Sequence, residues 1–210
     1  MIDDEIMNAF GWDEGKIPIY IFGGLSSISI GGRGPGGRTS DGDWYMELDK
    51  NGNPNEEHES IFVSALEMVE DADGDGFVDD EEPLMNNQIN RLIPVQSSPY
   101  IRRNNGGVLY EGRALIFLHA PWELQFIGSM EKLMGNRLDK TLRDAKAFLK
   151  KLLGVRKGEK IDKADLLYWG SIRGHNEKGM REIIGLSITY IDSPKLPKVF
   201  EQDVWRWIGC

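Results

Sequence analysis

Ile17-Pro18-Ile19-Tyr20-Ile21-Phe22, then Gly23-Gly24, then Leu25-Ser26-Ser27-Ile28-Ser29-Ile30, is the stretch on which the fold class turns. β-Branched and aromatic residues dominate it and glycines bound its runs, which predicts strand over residues 17–30. Working outward, Trp44 to Leu48 reads as another strand, closed by the turn signal Asn51-Gly52. Gly107 to Ala120 reads as a third, with Ala114-Leu115-Ile116-Phe117-Leu118 as its buried run. Ile183 to Ile191 alternates as a fourth, with Ile184, Leu186, Ile188 and Tyr190 on one face. The tail from Val199 to Ile208 carries Trp205 and Trp207, which point the same way from a strand.

Between these lie helical periods. Glu56 to Glu70 places Phe62, Ala65, Leu66 and Val69 on one face. Leu84 to Leu92 spaces Met85, Ile89 and Leu92 at i, i+4, i+7, and Pro94 stops it. Trp122 to Met134 and Leu138 to Leu153 are two further helices, split at Gly135-Asn136 and ended by Gly154. Asp165 to Trp169 is a short apolar piece of either type. Strands and helices mix without a βαβ rhythm, so the expected class is α+β: a mixed or antiparallel sheet, a helix-loop-helix and a basic helical pair. The expected organisation is a β-rich segment 1–55, a helix-loop-helix 56–92, and an α+β segment 93–210 packed with the first as one domain.

Charge is unevenly spread along the 210 residues. Residues 1–100 hold 21 acids and 5 bases, and residues 101–210 hold 13 acids and 20 bases. The formal charge of −9 argues against a uniformly basic nucleic-acid binder. Cys210 is the one cysteine, which excludes an internal disulfide and a cysteine zinc site. Met1-Ile2-Asp3-Asp4-Glu5 is acidic where a secretory leader is basic, and no apolar run is long enough to span a bilayer. The expectation is a protein of the cytoplasm or of an assembled particle, with no membrane partner.

The densest acid lies in Asp71-Ala72-Asp73-Gly74-Asp75-Gly76-Phe77-Val78-Asp79-Asp80-Glu81-Glu82, and residues 70–82 hold eight acids. Acids stand at positions 1, 3, 5, 9 and 12 of the twelve, with glycine at 6 and an apolar residue at 8. The stretch resembles the calcium loop of the EF-hand helix-loop-helix family, over residues 56–92 only. The resemblance implies calcium as cofactor, bound by Asp71, Asp73, Asp75, the Phe77 carbonyl, Asp79 and a bidentate Glu82. Calcium is a hard cation that takes six to eight oxygens, and alternate side chains of a curling loop supply them. Pro83 departs from the family pattern but suits a first helical turn. A second stretch, Asp49-Lys50-Asn51-Gly52-Asn53-Pro54, offers similar oxygens, but Pro54 and Ser60 replace the required Gly and Glu, so it reads as a turn.

Other signals are weaker. Gly32-Arg33-Gly34-Pro35-Gly36-Gly37-Arg38-Thr39 mimics a phosphate-binding loop, but acidic turn residues follow it where a helix should start. Lys132 to Lys163 holds eleven bases and four acids, a surface for phosphate or for acidic protein, or a solvated helix face. His58, His119 and His175 lack paired metal-ligand spacing. No catalytic constellation emerges, which points away from an enzyme. The reading is a calcium-binding, non-enzymatic structural or protein-interaction protein with one structural ion, possessing the charge polarity of a self-assembling, viral- or phage-type subunit. The alternatives are a calcium-stabilised hydrolase or phosphate-handling enzyme using His119, Glu123, Arg102 and Arg103, and a calcium-linked nucleic-acid binder using the 132–163 basic region through Lys140 to Lys163.

Overall fold

The structure is a computed structural model that describes residues 2–35, 42–49, 53–72, 85–86, 93–135, 139–187 and 199–209. The elements in chain order are α1 (Ile2–Phe10), β1 (Ile17–Phe22), α2 (Gly23–Ser29), β2 (Gly42–Tyr45), α3 (Glu56–Ala72) and β3 (Met85–Asn86). A 3-10 turn (Val95–Ser97) leads into α4 (Ser98–Arg103), followed by β4 (Val108–Glu111) and β5 (Leu115–His119). Among the described residues that follow are the helices α5 (Trp122–Gly135), α6 (Asp139–Val155), α7 (Lys163–Ile172), α8 (Glu177–Ser187) and α9 (Gln202–Ile208). The class is α+β, as expected.

The sheet is mixed, in the order β3-β2-β1-β5-β4. β1 lies at its centre, antiparallel to β2 and parallel to β5, with Ile17 opposite Leu115 and Ile21 opposite His119. Strand alternation divides the core in two. Ile17, Ile19 and Ile21 of β1 join Trp44, Phe62, Ala65 and Leu115 on one face, beneath α1 and α3. Tyr20 and Phe22 join Tyr45, Phe126, Phe148 and Leu152 on the other, beneath α5 and α6. A central strand buried on both faces is the position that an unbroken apolar run suits.

Several expectations are corrected. Residues 23–29 are helix, not a continuation of strand, with Ser26 and Ser27 fully buried and Ser29 exposed. Residues 107–120 are two antiparallel strands. Asp3 holds the turn between them by accepting the amides of Arg113, Ala114 and Leu115, each at 2.9 Å. A Cβ on Gly112 would sit 2.2 Å from Asp3 Oδ1, so only glycine admits this approach.

Met85–Asn86 pairs with Gly42–Asp43 as a parallel edge strand, which replaces the helix expected from Leu84 at those two residues. The free edge of β2 gives their backbone groups partners that helical spacing could not foresee. Residues 183–187 belong to helix α8, because Met180, Ile183 and Ile184 form a buried i, i+3, i+4 set that outweighs the short alternation. Trp205 and Trp207 are on helix α9, not on a strand. The ambiguous piece 165–169 is inside α7, which opens on a capping box: Asp165 N donates to Asp162 Oδ1 at 2.7 Å, and Asp162 N donates back to Asp165.

Candidate functional site

Two segments marked by the sequence meet on the α5–α6 face. The chain leaves α2 through Ile30-Gly31-Gly32-Arg33 and runs against α6. Gly32 makes this possible: a Cβ there would lie 2.6 Å from the Ala147 Cβ and 2.3 Å from Ser27 Oγ. Arg33 then clamps the turn. Its Nε and Nη2 donate to Asp144 Oδ1 and Oδ2 at 2.8 and 2.6 Å, and both side chains are only 7 % exposed. This fork-on-carboxylate pairing is a strong, directional contact.

Between the turn and α6 opens a groove of about 730 Å³. Its walls are Ile30, Gly31 and Gly32 on one side, and Arg143, Lys146, Ala147, Lys150, Lys151, Gly154 and Val155 on the other. Four cations line it and no acid does. All four are exposed, because α6 turns Ala145, Phe148, Leu149 and Leu152 inward. Lys151 Nζ lies 6.0 Å above the Trp122 ring.

The glycine-rich turn does not cradle phosphate with its amides. Gly31 N donates to Ile28 O, Gly32 N to Ser27 O and Gly34 N to Gly31 O, so these donors are already used. Any anion in the groove meets side-chain cations. The phosphate-loop mimic is therefore a packing device over its described part; residues 36–41, with Arg38 and Thr39, lie outside the described residues.

The structure also sorts the basic region. Lys132 pairs with Asp43 at 3.3 Å, Arg156 with Asp165 at 2.7 Å, and Lys163 with Glu177 at 2.7 Å. Those are ordinary surface pairs that join elements. The groove set, Arg143, Lys146, Lys150 and Lys151, has no ion-pair partner among the described residues.

The residues named for an enzyme do not form one centre. His119, 7 % exposed, has its Nδ1 2.7 Å from the hydroxyl of the fully buried Ser26. Burial, aided by the nearby Lys151 charge, pushes it down to about 4, so it is neutral at ordinary pH. This pair ties α2 to the end of β5, and its burial keeps a substrate from the serine. Glu123, raised by burial, accepts a hydrogen bond from the Tyr100 hydroxyl. Arg102 pairs instead with Glu47 at 3.0 Å, and Arg103 is exposed. His175 stands 3.6 Å from Glu131, which Arg173 also approaches at 3.0 Å. The His175 ring and the Arg173 guanidinium beside it hold Glu131 at about 2 against the effect of burial. His58 packs edge-on against Trp12.

For the calcium loop, the incoming helix is present and runs through Asp71 and Ala72. Asp73, Asp75, Phe77, Asp79 and Glu82 lie outside the described residues, as does the Asp71 side chain. Among the described residues no cluster of three acids, histidines or cysteines is placed to hold a metal. At the second stretch Leu48 bridges Pro54 and Asp49 N donates to Asn53 O at 2.7 Å; residues 50–52 lie outside the described residues. Asn55 Oδ1 then accepts the Glu57 and His58 amides and starts α3. Among the described residues no helix is long and apolar enough to cross a membrane. No family model, curated protein or solved structure matches the chain, so the reading of its function rests on its own residues.

Proposed function

We propose that the protein is a non-enzymatic, calcium-stabilised binding protein whose single ion is held by residues 71–82, and which works by associating with other proteins, copies of itself included. The observation that carries the reading is the loop sequence, with Asp71, Asp73, Asp75, Gly76, Asp79 and Glu82 at the spacing calcium requires. Its setting supports a structural ion. The twelve residues 73–84 join Ala72, at the end of a helix packed on the sheet, to Met85, in the edge strand. Phe62 anchors that helix, edge-on to Trp44 at 5.0 Å and to Phe117 at 6.2 Å. Calcium would offset the mutual repulsion of the acids and fasten the strand to the helix. Binding only the folded chain, it stabilises by mass action.

Thermal unfolding with and without calcium tests this. Millimolar calcium raises Tm in the native chain and leaves Tm unchanged in Glu82→Gln. An equal response of both proteins contradicts the loop as the site. The association half of the reading has its own test in light scattering at low and high salt. A strict monomer under both conditions removes it and leaves the calcium half standing.

A further inference from the structure

The groove between the α2 turn and α6 is not used by the calcium reading. We propose that it is a binding site for a small molecule carrying two or more closely spaced phosphate groups. Arg143, Lys146 and Lys150 follow one another at i, i+3 and i+7 along one line of α6, and Lys151 stands beside the last. Ile30 and Ala147 supply apolar wall between them. Four like charges around one concavity repel one another, and a multivalent anion relieves that repulsion while gaining charge-assisted hydrogen bonds.

Three observations favour a compact phosphate compound over a macromolecule. The cavity of about 730 Å³ has the size of a small-molecule site, whereas a docked protein surface prefers a broad face. No aromatic residue lines it, so a single strand of nucleic acid finds no stacking platform. The chain as a whole carries −9, which repels a long polyanion but acts weakly, through salt, on a small one. The site is also held in shape: Arg33 and Asp144 fix the turn to α6 through two buried contacts, so the walls do not have to be ordered by the ligand.

Calorimetric titration with inorganic tripolyphosphate and with ATP tests the proposal, on the intact chain, at low and moderate salt. The expected result is saturable binding at one site per chain. It weakens by about tenfold or more in Lys146→Glu/Lys150→Glu and stays unchanged in Lys157→Glu, an exposed lysine outside the groove. All of these positions are exposed, so the variants fold, which a circular-dichroism melt checks. Absent binding, or an equal loss in Lys157→Glu and in the double variant, overturns the proposal. Binding of single-stranded RNA but not of tripolyphosphate overturns it in favour of a nucleic-acid surface. A change in sedimentation of the double variant, without any phosphate binding by the native chain, overturns it in favour of an interface between copies.

Discussion

The two faces of the central sheet are built alike and charged oppositely. On one lie α1 and α3, which carry no lysine or arginine. On the other lies α6, with five bases against two acids. Each face has a buried ionic device at a tight glycine approach. On the acidic face Asp3, 5 % exposed, is neutralised by three backbone amides of the β4–β5 turn. On the basic face Arg33 and Asp144 neutralise each other. A carboxylate held by amides has no substitute, because the amides stay behind when it goes. An ion pair can be removed as a pair. That difference predicts different responses to mutation.

Arg33→Ala is the largest expected loss, about 3–5 kcal/mol in urea unfolding, because it strands Asp144 as a buried charge. The double variant Arg33→Met/Asp144→Leu regains most of it, since the pair leaves together. Asp3→Ala costs roughly 3 kcal/mol by the same measurement, from three amides left without acceptors. Here no second substitution in the turn restores it, because the orphaned donors are backbone. Should Asp3→Ala prove neutral, or the Arg33/Asp144 double variant prove as unstable as Arg33→Ala, the contrast fails.

Acid acts on two groups at α5 in separate windows. His119 is held neutral in the fold at about 4, so the unfolded chain takes up the proton first. Its contribution is complete above pH 6.5 and is lost as pH falls toward 4, by at most about 1.4 kcal/mol per unit. Glu131, held at about 2, acts in a lower window: its contribution is complete above about pH 4.5 and is lost as pH falls toward 2. Stability measured against pH should therefore slope between 6.5 and 4, and His119→Gln should flatten that stretch alone. The smallest effect belongs to the α7 capping box, where Asp162→Ala costs about 1 kcal/mol by the same denaturation assay.

How far the sequence carried each region follows from where its determinants lie. β1 was legible because Ile17 to Phe22 is apolar on both faces, and its neighbours on either side are strands. α5 and α6 were legible because their apolar stripes are long. α2 was not, since Ser26 and Ser27 owe their burial to His119 and α6, residues far along the chain. α8 is hidden in the sequence because Ile184, Leu186 and Ile188 alternate, while the helical set begins earlier, at Met180. The box Asp162-x-x-Asp165 announces α7, a local signal that assigns 165–169 to helix. Each wall of the groove carries its own sequence signal, one a glycine-rich run and the other a basic helix. Their meeting is a tertiary fact, made by Gly32 and Arg33, that no local pattern encodes.

Residues 71–82 hold the densest acid in the sequence, and the central claim rests on them. Isothermal titration of the metal-stripped chain with calcium measures it directly. The account predicts one calcium per chain, bound at millimolar concentration or tighter, with binding weakened or lost in Glu82→Gln. No saturable binding at millimolar calcium, or a titration that Glu82→Gln leaves unchanged, would contradict it.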